Sequence, residues 1–336
     1  MKVGLIGTGA IAHKHAESYQ EIGYEIVACS NRGAEKGRAY AEQYGADFVA
    51  DWRELIQRED FDYVDITTFP DSHLEMVRAC AVARKHVLLQ KPMDLRVEAC
   101  REMIELCAKA DLRLGVVSQH RFDDATIFLK KAIAAGRLGT LLQVDGYVKW
   151  HRPQSYYDRP GKGTWEVEGG GALINQGIHT VDVCMYLAGM ATEVTANWHL
   201  HAAHEMEAED LINVLLKYDS GATGVLQAAT AIWPGYSERI ELHGTRGSAT
   251  ITGDKLTAWD VEGDDGSDAP IESAEASGAS DPMAISIENL KRQFQDFGDA
   301  CQTGRAPLVD GQQGMQGLQI VLAAYEAARG GQIVRL

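Results

Sequence analysis

The first 120 residues alternate between short apolar runs and longer segments with helical periodicity. Five runs have the length and apolar content of buried strands: KVGLIG from Lys2, EIVACS from Glu25, YVDITTF from Tyr63, HVLLQ from His86 and LRLGVVS from Leu112. Between them, HLEMVRACAVAR and EACREMIELCAKA have the apolar spacing of amphipathic helices. Strands that alternate with helices are typical of a parallel sheet covered on both faces. We therefore predict a doubly wound α/β domain over residues 1–122.

The pattern changes after residue 123. A helical segment, ATIFLKKAIAAG, precedes a helix that begins with three glycines, and longer strand candidates follow: EVTANWHLH, DLINVLLKY, GVLQAAT and RIELHG. Gly221 predicts a hairpin turn between two of them, because glycine accepts a positive φ. Two helices, IENLKRQFQDFGDAC and GMQGLQIVLAAYEAA, close the chain. Residues 123–336 are predicted to form an α+β domain with a mostly antiparallel sheet. Residues 260–281, rich in acidic and small residues, are predicted to form an exposed loop.

Composition narrows the classes of partner. The chain has 336 residues, 45% hydrophobic and 24% charged, and a formal net charge of −16, so its surface repels nucleic acid. No apolar run is long enough to span a bilayer. The strand-like start at MKVGLIGTGA leaves no room for a signal peptide, and we expect a cytoplasmic protein. The six cysteines form no CxxC pair and are expected to be reduced.

The first strand runs into a glycine-rich turn with the pattern G-x-G-x-x-A, which spans Gly7, Thr8, Gly9, Ala10, Ile11 and Ala12. In a dinucleotide-binding βαβ unit, the first glycine permits the tight turn, and the second lets a pyrophosphate approach the backbone. The small third residue lets the helix pack close to the strand. The N–H groups of the helix N-terminus then face the phosphates. We therefore predict a dinucleotide site formed by this turn.

The residues after the second strand bear on the choice between NAD and NADP. NAD-binding enzymes usually have an acidic residue there, which binds the ribose hydroxyls. This chain has Ser30, Asn31 and Arg32, and its first carboxylate comes at Glu35. Hydroxyl, amide and guanidinium groups suit a 2′-phosphate, so we favour NADP(H). The alternative is that Arg32 is a solvated surface residue and that Asn31 accepts either cofactor.

Two further loops belong to the edge of the sheet where ligands bind in this type of fold. One is TTFPDSH, from Thr67 to His73, and the other is QKP, from Gln90 to Pro92. Pro92 restricts the backbone of Lys91, which helps to aim its ammonium group into the crevice. The candidate cofactor contacts in these loops are Thr67, Thr68, Phe69, His73, Gln90 and Lys91.

The glycine-led helix GGGALINQGIHTVD carries three polar side chains in an otherwise apolar segment. Asn175, His179 and Asp182 are separated by four and three residues, so an α-helix would align them in one stripe. An amide, an imidazole and a carboxylate in line predict a polar site on this helix.

GTGAIA, TTFPDSH, QKP and GGGALINQGIHTVD occur in this order, and with them the chain resembles the GFO/IDH/MocA family. That family groups glucose–fructose oxidoreductase, inositol dehydrogenase and many sugar dehydrogenases. The resemblance covers essentially the whole chain. It implies a Rossmann domain followed by a domain with a large open sheet. It also implies hydride transfer between a nicotinamide and a carbinol carbon of a sugar, cyclitol or related compound.

The resemblance assigns functional residues where this chain matches the family's motifs. The catalytic lysine of the family's E-K-P motif corresponds to Lys91. The helix pattern, usually G-x-x-x-D-x-G-x-H-x-x-D, corresponds to Gly171, Asn175, Gly177, His179 and Asp182. Two positions depart from the family: Gln90 replaces glutamate and Asn175 replaces aspartate. An amide at position 175 can bind a sugar hydroxyl but cannot act as a base, which shifts the acid–base role to Lys91 and His179.

These assignments give a mechanistic hypothesis for an alcohol dehydrogenase. His179 removes the hydroxyl proton, and Lys91 donates a hydrogen bond that stabilises the substrate oxygen. Asp182 either fixes the orientation of the imidazole or satisfies a buried contact within the helix. Further predicted substrate contacts are Arg121, Arg152, Tyr156 and Trp165, for which domain-interface packing is the alternative.

Other readings of the sequence are an NAD-dependent glycosidase that acts by redox elimination and a non-catalytic, dinucleotide-sensing regulator. His199, His201 and His204 form an HLHAAH cluster, but nothing in the sequence supports them as ligands, and we predict no metal. An open sheet needs a cover, so we expect a homo-oligomer, a dimer or a tetramer, that pairs through this sheet.

Overall fold

Six parallel strands form the first sheet of the computed structural model, which describes residues 1–273 and 286–336. The strand order is β3-β2-β1-β4-β5-β6. The bounds of the strands are Lys2–Ile6 for β1, Glu25–Ser30 for β2, Asp47–Phe48 for β3, Tyr63–Ile66 for β4, His86–Leu89 for β5 and Leu114–Val116 for β6. The order reverses at β1, between β2 and β4, and this is the switch point at which ligands bind in such sheets.

Five helices connect these strands, as parallel pairing requires. Their bounds are Ala10–Glu21 for α1, Ala34–Tyr44 for α2, Trp52–Ile56 for α3, His73–Val82 for α4 and Val97–Lys109 for α5. The strands are covered on both faces, and Val3, Leu5 and Ile66 are almost fully buried. A strand buried on both sides is apolar throughout, which is the pattern that predicted the parallel sheet.

The chain returns to this first unit near its C-terminus. Met1–Gln119 and Ser286–Met315 form one compact unit, and His120–Ile285 with Gln316–Leu336 form the second. The reason for the return is α9, Glu288–Thr303. Its Phe294 and Phe297 are buried in the same apolar cluster as Val3 and Tyr63. Periodicity along the chain predicted this helix but could not indicate which core it joins.

Eight strands form the sheet of the second unit, in the order β13-β12-β11-β7-β10-β9-β8-β14. Their bounds are Leu141–Lys149 for β7, Ala191–Leu200 for β8, Glu209–Tyr218 for β9, Thr223–Ala229 for β10, Arg239–Gly244 for β11, Gly247–Thr252 for β12, Lys255–Val261 for β13 and Val334–Arg335 for β14. All pairs are antiparallel except β7 with β10. The predicted fold class is confirmed. The predicted hairpin is also confirmed, with Gly221 at φ +87° between β9 and β10.

The remaining helices are α6, Asp124–Ala134; α7, Gln154–Tyr157; α8, Ile178–Ala188; and α10, Gly311–Gly330. Residues of β9 alternate between buried Val214 and Leu216 and exposed Leu215 and Lys217. One face of the sheet is therefore packed, and the other is open in the single chain. Pairing of copies through this open face stays a prediction.

The acidic segment after β13 is exposed but anchored. Arg137 donates to Asp264 and Asp268, with N–O distances of 2.8 Å. The predicted loop at 260–281 is thus held by an ion pair in the described part, and residues 274–281 lie outside the described residues.

Candidate active site

The turn after β1 is fixed by backbone contacts to two neighbouring strands. Gly7 has φ +98°, and its N–H donates to the carbonyl of Ser30 at 2.8 Å. A β-carbon on Gly7 would lie 3.0 Å from the backbone carbon of Thr67. The Thr67 hydroxyl donates to the carbonyl of Gly7 at 2.7 Å. Only glycine fits this positive φ and this close approach.

The N-terminus of α1 is open. Gly9 is the capping residue, and no side chain of the described residues caps this helix. A β-carbon at Gly9 would find no atom within 4 Å. The first N–H groups of a helix have no partner within the helix, so Ala10 and Ile11 can present theirs to an anion. This arrangement fits the pyrophosphate of a dinucleotide, and Gly7, Thr8, Gly9, Ala10 and Ile11 would hold it.

The three residues after β2 play different roles. The Asn31 amide accepts from the N–H of Thr8 at 3.2 Å and donates to the carbonyl of Gly33 at 2.9 Å. Ser30 is buried, and its carbonyl holds Gly7. The expected cofactor contact of the Ser30 side chain stays a prediction. Arg32 is exposed, so among these three residues it is the candidate for contact with a 2′-phosphate.

The loop after β4 contains a short 3-10 turn at Pro70–Ser72. Thr68 and Ser72 share a hydroxyl hydrogen bond of 2.8 Å, and Phe69 is 48% exposed. His73 is fully buried, and its ring nitrogens lie 3.0 Å and 3.2 Å from the carbonyls of Met93 and Thr68. Burial lowers the pKa of His73, although both carbonyls act in the opposite direction. His73 therefore shapes this loop, and its expected cofactor contact stays a prediction.

Gln90 and Lys91 follow β5. Gln90 is buried, Lys91 is half-buried, and the Lys91–Pro92 peptide bond is cis. The side-chain oxygen of Gln90 accepts from the N–H of Lys91 at 2.9 Å, and its nitrogen lies 3.0 Å from Nε2 of His15. The amide at position 90 is therefore part of the interior as well as the neighbour of Lys91.

In the second unit, a π-helical turn at Leu173–Gly177 leads into α8. A β-carbon on Gly171 would lie 1.8 Å from the carbonyl oxygen of Glu209, so no larger residue fits there. The Glu209 carboxylate accepts from the N–H groups of Gly171 and Leu173, both at 2.8 Å. Burial raises the pKa of Glu209 to about 7, against the hydrogen bonds that it accepts. This carboxylate holds the start of the helix.

The predicted polar stripe is divided among different partners. The Asn175 amide donates to Glu168 at 3.2 Å, and the His179 ring lies 5.4 Å from the ring of His120. Asp182 pairs with Arg121. The predicted regular helix begins with a π turn at Leu173–Gly177, whose i→i+5 hydrogen bonds change the angle between Asn175 and the two residues on α8, His179 and Asp182. Such turns are frequent at functional sites.

Arg121 and Asp182 form a buried bidentate ion pair. Nε and Nη2 of Arg121 donate to the two carboxylate oxygens at 2.8 Å and 2.6 Å. Arg121 is 0% exposed and its guanidinium stacks 4.7 Å from the Tyr186 ring. The structure shows that Arg121, which precedes α6, and Asp182 bind each other, and their expected substrate contacts stay predictions.

A cleft opens in the second unit beside α8. Its lining combines hydrogen-bonding and apolar groups, namely His120, Asp123, Thr126, Trp150, Gln176, His179, Thr180, Val183, Glu238, Ile240, Ile251 and Gly253. His120 lies 2.9 Å from Asp123. Burial alone would lower the pKa of His120, but Asp123, Glu238 and Asp254 raise it to about 9. Burial raises the pKa of the Asp123 carboxyl group, although the contact with His120 lowers it. We assign an imidazolium to His120 at neutral pH.

The other predicted substrate contacts fall into two groups. Tyr156 reaches the cleft indirectly, since its hydroxyl accepts from Gln176 at 3.3 Å. Arg152 is buried, donates to the carbonyl of His151 at 2.8 Å and stacks on Trp150. Trp165 packs on the aromatic rings of Trp198 and Tyr325. In the structure, Trp165 and Arg152 make packing contacts with other residues of the second unit, and their substrate contacts stay a prediction.

The three histidines near the end of β8 do not converge. His204 is buried between Asp210, at 3.0 Å, and the carbonyl of Arg152, at 2.7 Å. His199 and His201 are exposed. Residues 1–273 and 286–336 contain no group of three potential metal ligands. No helix in the same residues is long and apolar enough to cross a membrane.

Comparison with known proteins agrees with this architecture. Residues 1–118 match the NAD-binding Rossmann fold of an oxidoreductase family, GFO/IDH/MocA, and residues 127–250 match the C-terminal domain of GFO/IDH/MocA proteins. The chain belongs to the GFO/IDH/MocA family. It is therefore an NAD(P)-binding oxidoreductase.

Members of the GFO/IDH/MocA family match over the full chain. It is 28% identical to the myo-inositol 2-dehydrogenase of Thermotoga maritima, over 100% of this chain and 98% of the relative. It is 27% identical to a D-apiose dehydrogenase of Paraburkholderia graminis, over 100% and 89%. The crystal structure of the WlbA dehydrogenase from Bordetella pertussis, in complex with NADH and UDP-GlcNAcA, has a TM-score of 0.90 at 29% identity. That similarity covers 100% of this chain and 97% of the other.

The sequence did not assign roles to Asp123 and Glu238, which line the cleft. Asp123 lies three residues after His120 around the start of α6, and that spacing was a signal of a local pair. Glu238 and Trp150 come from distant segments. They reach the cleft only because β7 and β11 are neighbours in the sheet.

Removing one partner of the Arg121–Asp182 pair should destabilise the protein. Asp182→Asn leaves a buried guanidinium without its charge partner, and we expect a loss of about 3–5 kcal/mol in the free energy of unfolding. The double variant Arg121→Met, Asp182→Leu should recover much of this loss. Urea denaturation measures both. Wild-type stability of Asp182→Asn would contradict a structural role for the pair.

The His120–Asp123 pair predicts a pH-dependent contribution to stability. The pKa of His120 is raised to about 9 in the folded chain, above its ordinary value of about 6.5. The stabilisation is therefore fully present below pH 6.5 and is lost as the pH rises through 9. The difference in unfolding free energy between the wild type and His120→Gln should shrink over this range. A difference that is constant with pH would contradict the imidazolium assignment.

Proposed function

We propose that this chain oxidises a carbinol carbon of a sugar, sugar derivative or cyclitol with NAD(P)⁺, or catalyses the reverse reduction. The observation that carries the proposal is the cleft beside α8. Its Gln176, His179 and Asp123 offer donors and acceptors for hydroxyl groups, and Trp150 offers an aromatic surface. Mostly apolar walls with a few polar groups are typical of a small-molecule site. Relatives named for inositol and apiose support the same substrate class.

Lys91 and His179 are proposed as the acid–base groups. When bound, the nicotinamide supplies the redox chemistry. The Lys91 ammonium donates a hydrogen bond to the reacting oxygen and stabilises its negative charge. His179 exchanges the hydroxyl proton. Its neighbour is His120, with 5.4 Å between the two ring centroids. Asn175 is proposed to bind a substrate hydroxyl.

We also propose a preference for NADP(H), on the basis of Arg32. This guanidinium is exposed after β2, where an acidic residue would repel a 2′-phosphate. Since Asn31 is bonded to the backbone of Thr8 and Gly33, Arg32 carries the preference. The WlbA structure contains NADH, so NAD(H) is the competing outcome.

A substrate panel with Lys91→Met tests the proposed reaction. Inositols, aldoses, keto-sugars and nucleotide sugars are offered with both cofactors, and absorbance is followed at the nicotinamide band. We expect net cofactor turnover with one substrate group, and a fall in kcat of about 100-fold or more in Lys91→Met. Cofactor affinity should stay nearly unchanged in this variant.

The control is Lys109→Met, an exposed lysine of α5, which should keep wild-type kinetics. Cleavage of aryl glycosides without net absorbance change would indicate the glycosidase. Cofactor binding without turnover on any compound would indicate a regulator. Equal loss of kcat and cofactor affinity in Lys91→Met would assign Lys91 a structural role.

Substituting Arg32 tests the cofactor preference. Loss of a charge-assisted contact to phosphate removes about 1.5–3 kcal/mol, so Arg32→Ala should weaken NADP⁺ binding at least tenfold. The affinity for NAD⁺ should change less than twofold. Titration calorimetry with both dinucleotides gives the comparison, and equal effects on the two would contradict the proposal.

A further inference from the structure

A chain of buried polar groups connects three elements of the first unit behind Lys91. Asp65 lies on β4, His15 on α1, and Gln90 directly after β5. Asp65 and His15 are fully buried and Gln90 nearly so. Polar groups in such a position persist only when they are hydrogen-bonded, and their bonds run in sequence from Asp65 to the backbone of Lys91.

The interatomic distances define this series of hydrogen bonds. Nδ1 of His15 lies 2.7 Å from Oδ2 of Asp65, and Nε2 of His15 lies 3.0 Å from Nε2 of Gln90. The other side-chain atom of Gln90, Oε1, accepts from the N–H of Lys91 at 2.9 Å. The Tyr19 hydroxyl donates to the same oxygen of Asp65 at 2.7 Å.

Donor and acceptor chemistry permits one assignment of hydrogens. The Lys91 N–H can only donate, so Oε1 of Gln90 faces it and the amide nitrogen faces His15. That nitrogen also donates, so Nε2 of His15 is a lone pair. Nδ1 of His15 then carries the hydrogen, and it donates to the Asp65 carboxylate. With the Gln90 amide flipped, N–H groups would face each other at Lys91.

We infer that Asp65, His15 and Gln90 form a directional hydrogen-bond chain that positions the Lys91 peptide, with His15 neutral and protonated on Nδ1. This hydrogen-bond chain also explains why the residue before Lys91 is glutamine and not glutamate. A glutamate at position 90 would present an acceptor to both neighbours. The lone pair of His15 would then require a proton, which would place an imidazolium between two carboxylates in a buried site.

The ring of His15 lies in an aromatic environment. It packs against Phe294 of α9, at 4.8 Å between centroids, and against Tyr19. The titratable groups nearby include Asp65 and the tyrosines Tyr19 and Tyr63, and burial and Asp65 raise the pKa values of both tyrosines well above 10. The tyrosines therefore stay neutral, and the direction of the hydrogen bonds at His15 is set by Gln90 and Lys91.

Gln90 is thus a positioning residue, because it acts through the backbone of Lys91. The catalytic consequence rests on the proposed function of Lys91, whereas the hydrogen-bond direction does not. Misplacing a reacting group by about 1 Å can reduce the rate by 100-fold. Loss of the bond from Gln90 should therefore lower kcat while leaving dinucleotide affinity nearly unchanged.

The hydrogen positions can be measured without an activity assay. Proteins labelled with ¹⁵N-histidine give ring spectra, and the His15 signals are identified by their absence in His15→Asn. In the wild type at pH 7, we expect hydrogen on Nδ1 alone. In Gln90→Glu, both ring nitrogens should carry hydrogen. Hydrogen on Nε2 of His15 in the wild type would overturn the inference.

Kinetics test the positioning role. Gln90→Met keeps the volume and removes both hydrogen bonds, and we expect kcat to fall about tenfold or more with dinucleotide affinity within about twofold of the wild type. Gln57→Met, at the exposed end of α3, is the matched control.

The outcomes separate this inference from the proposed function. Wild-type kcat in a folded Gln90→Met, with kcat lost in Lys91→Met, overturns the positioning role and leaves the proposed function intact. Wild-type kcat in Lys91→Met overturns the proposed function, while the ring spectra still decide the hydrogen-bond chain. Should Gln90→Met fail to fold, Gln90→Asn decides, because its shorter amide cannot bond both His15 and the N–H of Lys91, and wild-type kcat in Gln90→Asn overturns the positioning role.

Discussion

The first unit depends on a turn, between β1 and α1, in which one residue must have no side chain. Between β1 and α1 the chain reverses within three residues, and Gly7 allows this because its φ is +98° and the backbone of Thr67 lies against it. The surrounding groups then fix the turn from outside: Ser30 and Thr67 bind Gly7, and Asn31 binds Thr8. As a result, the helix begins at the surface with uncapped N–H groups, which is the condition for holding a pyrophosphate.

Buried polar groups elsewhere in the structure are also hydrogen-bonded to specific partners. Parallel strands bury both faces, so a carboxylate such as Asp65 on β4 needs partners within the unit. His15 supplies one, and Gln90 extends the connection to Lys91. In the second unit, Glu209 similarly holds the N–H groups of Gly171 and Leu173. In both units, buried side chains that touch no ligand fix the backbone from which the candidate functional residues extend.

Period and spacing along the chain predicted five of the six strands of the first sheet, the turn at Gly7, the hairpin at Gly221 and the change of fold class after residue 123; the two-residue strand β3 is too short to show a period. These features depend on local chemistry. The return of α9 to the first core was not predictable, because amphipathic periodicity does not say which apolar surface a helix meets.

The partners of polar residues were harder to predict than the strands and helices. Arg121, Asp182 and His73 look alike in sequence whether they bind a ligand or one another, and only the fold shows that each has a buried partner. The π turn before α8 was not predicted either, because the apolar spacing of this segment is that of an α-helix.

We propose that the turn at Gly9 receives the dinucleotide pyrophosphate, and Gly9 itself allows a direct test. Its φ of −77° suits any residue, and a β-carbon there meets no atom of the chain within 4 Å. Gly9→Val should therefore fold as the wild type does, with Tm within about 2 °C, while the added side chain occupies the place of the phosphates. Titration calorimetry should show dinucleotide binding weakened at least tenfold. Undiminished binding by a normally folded Gly9→Val would contradict the account.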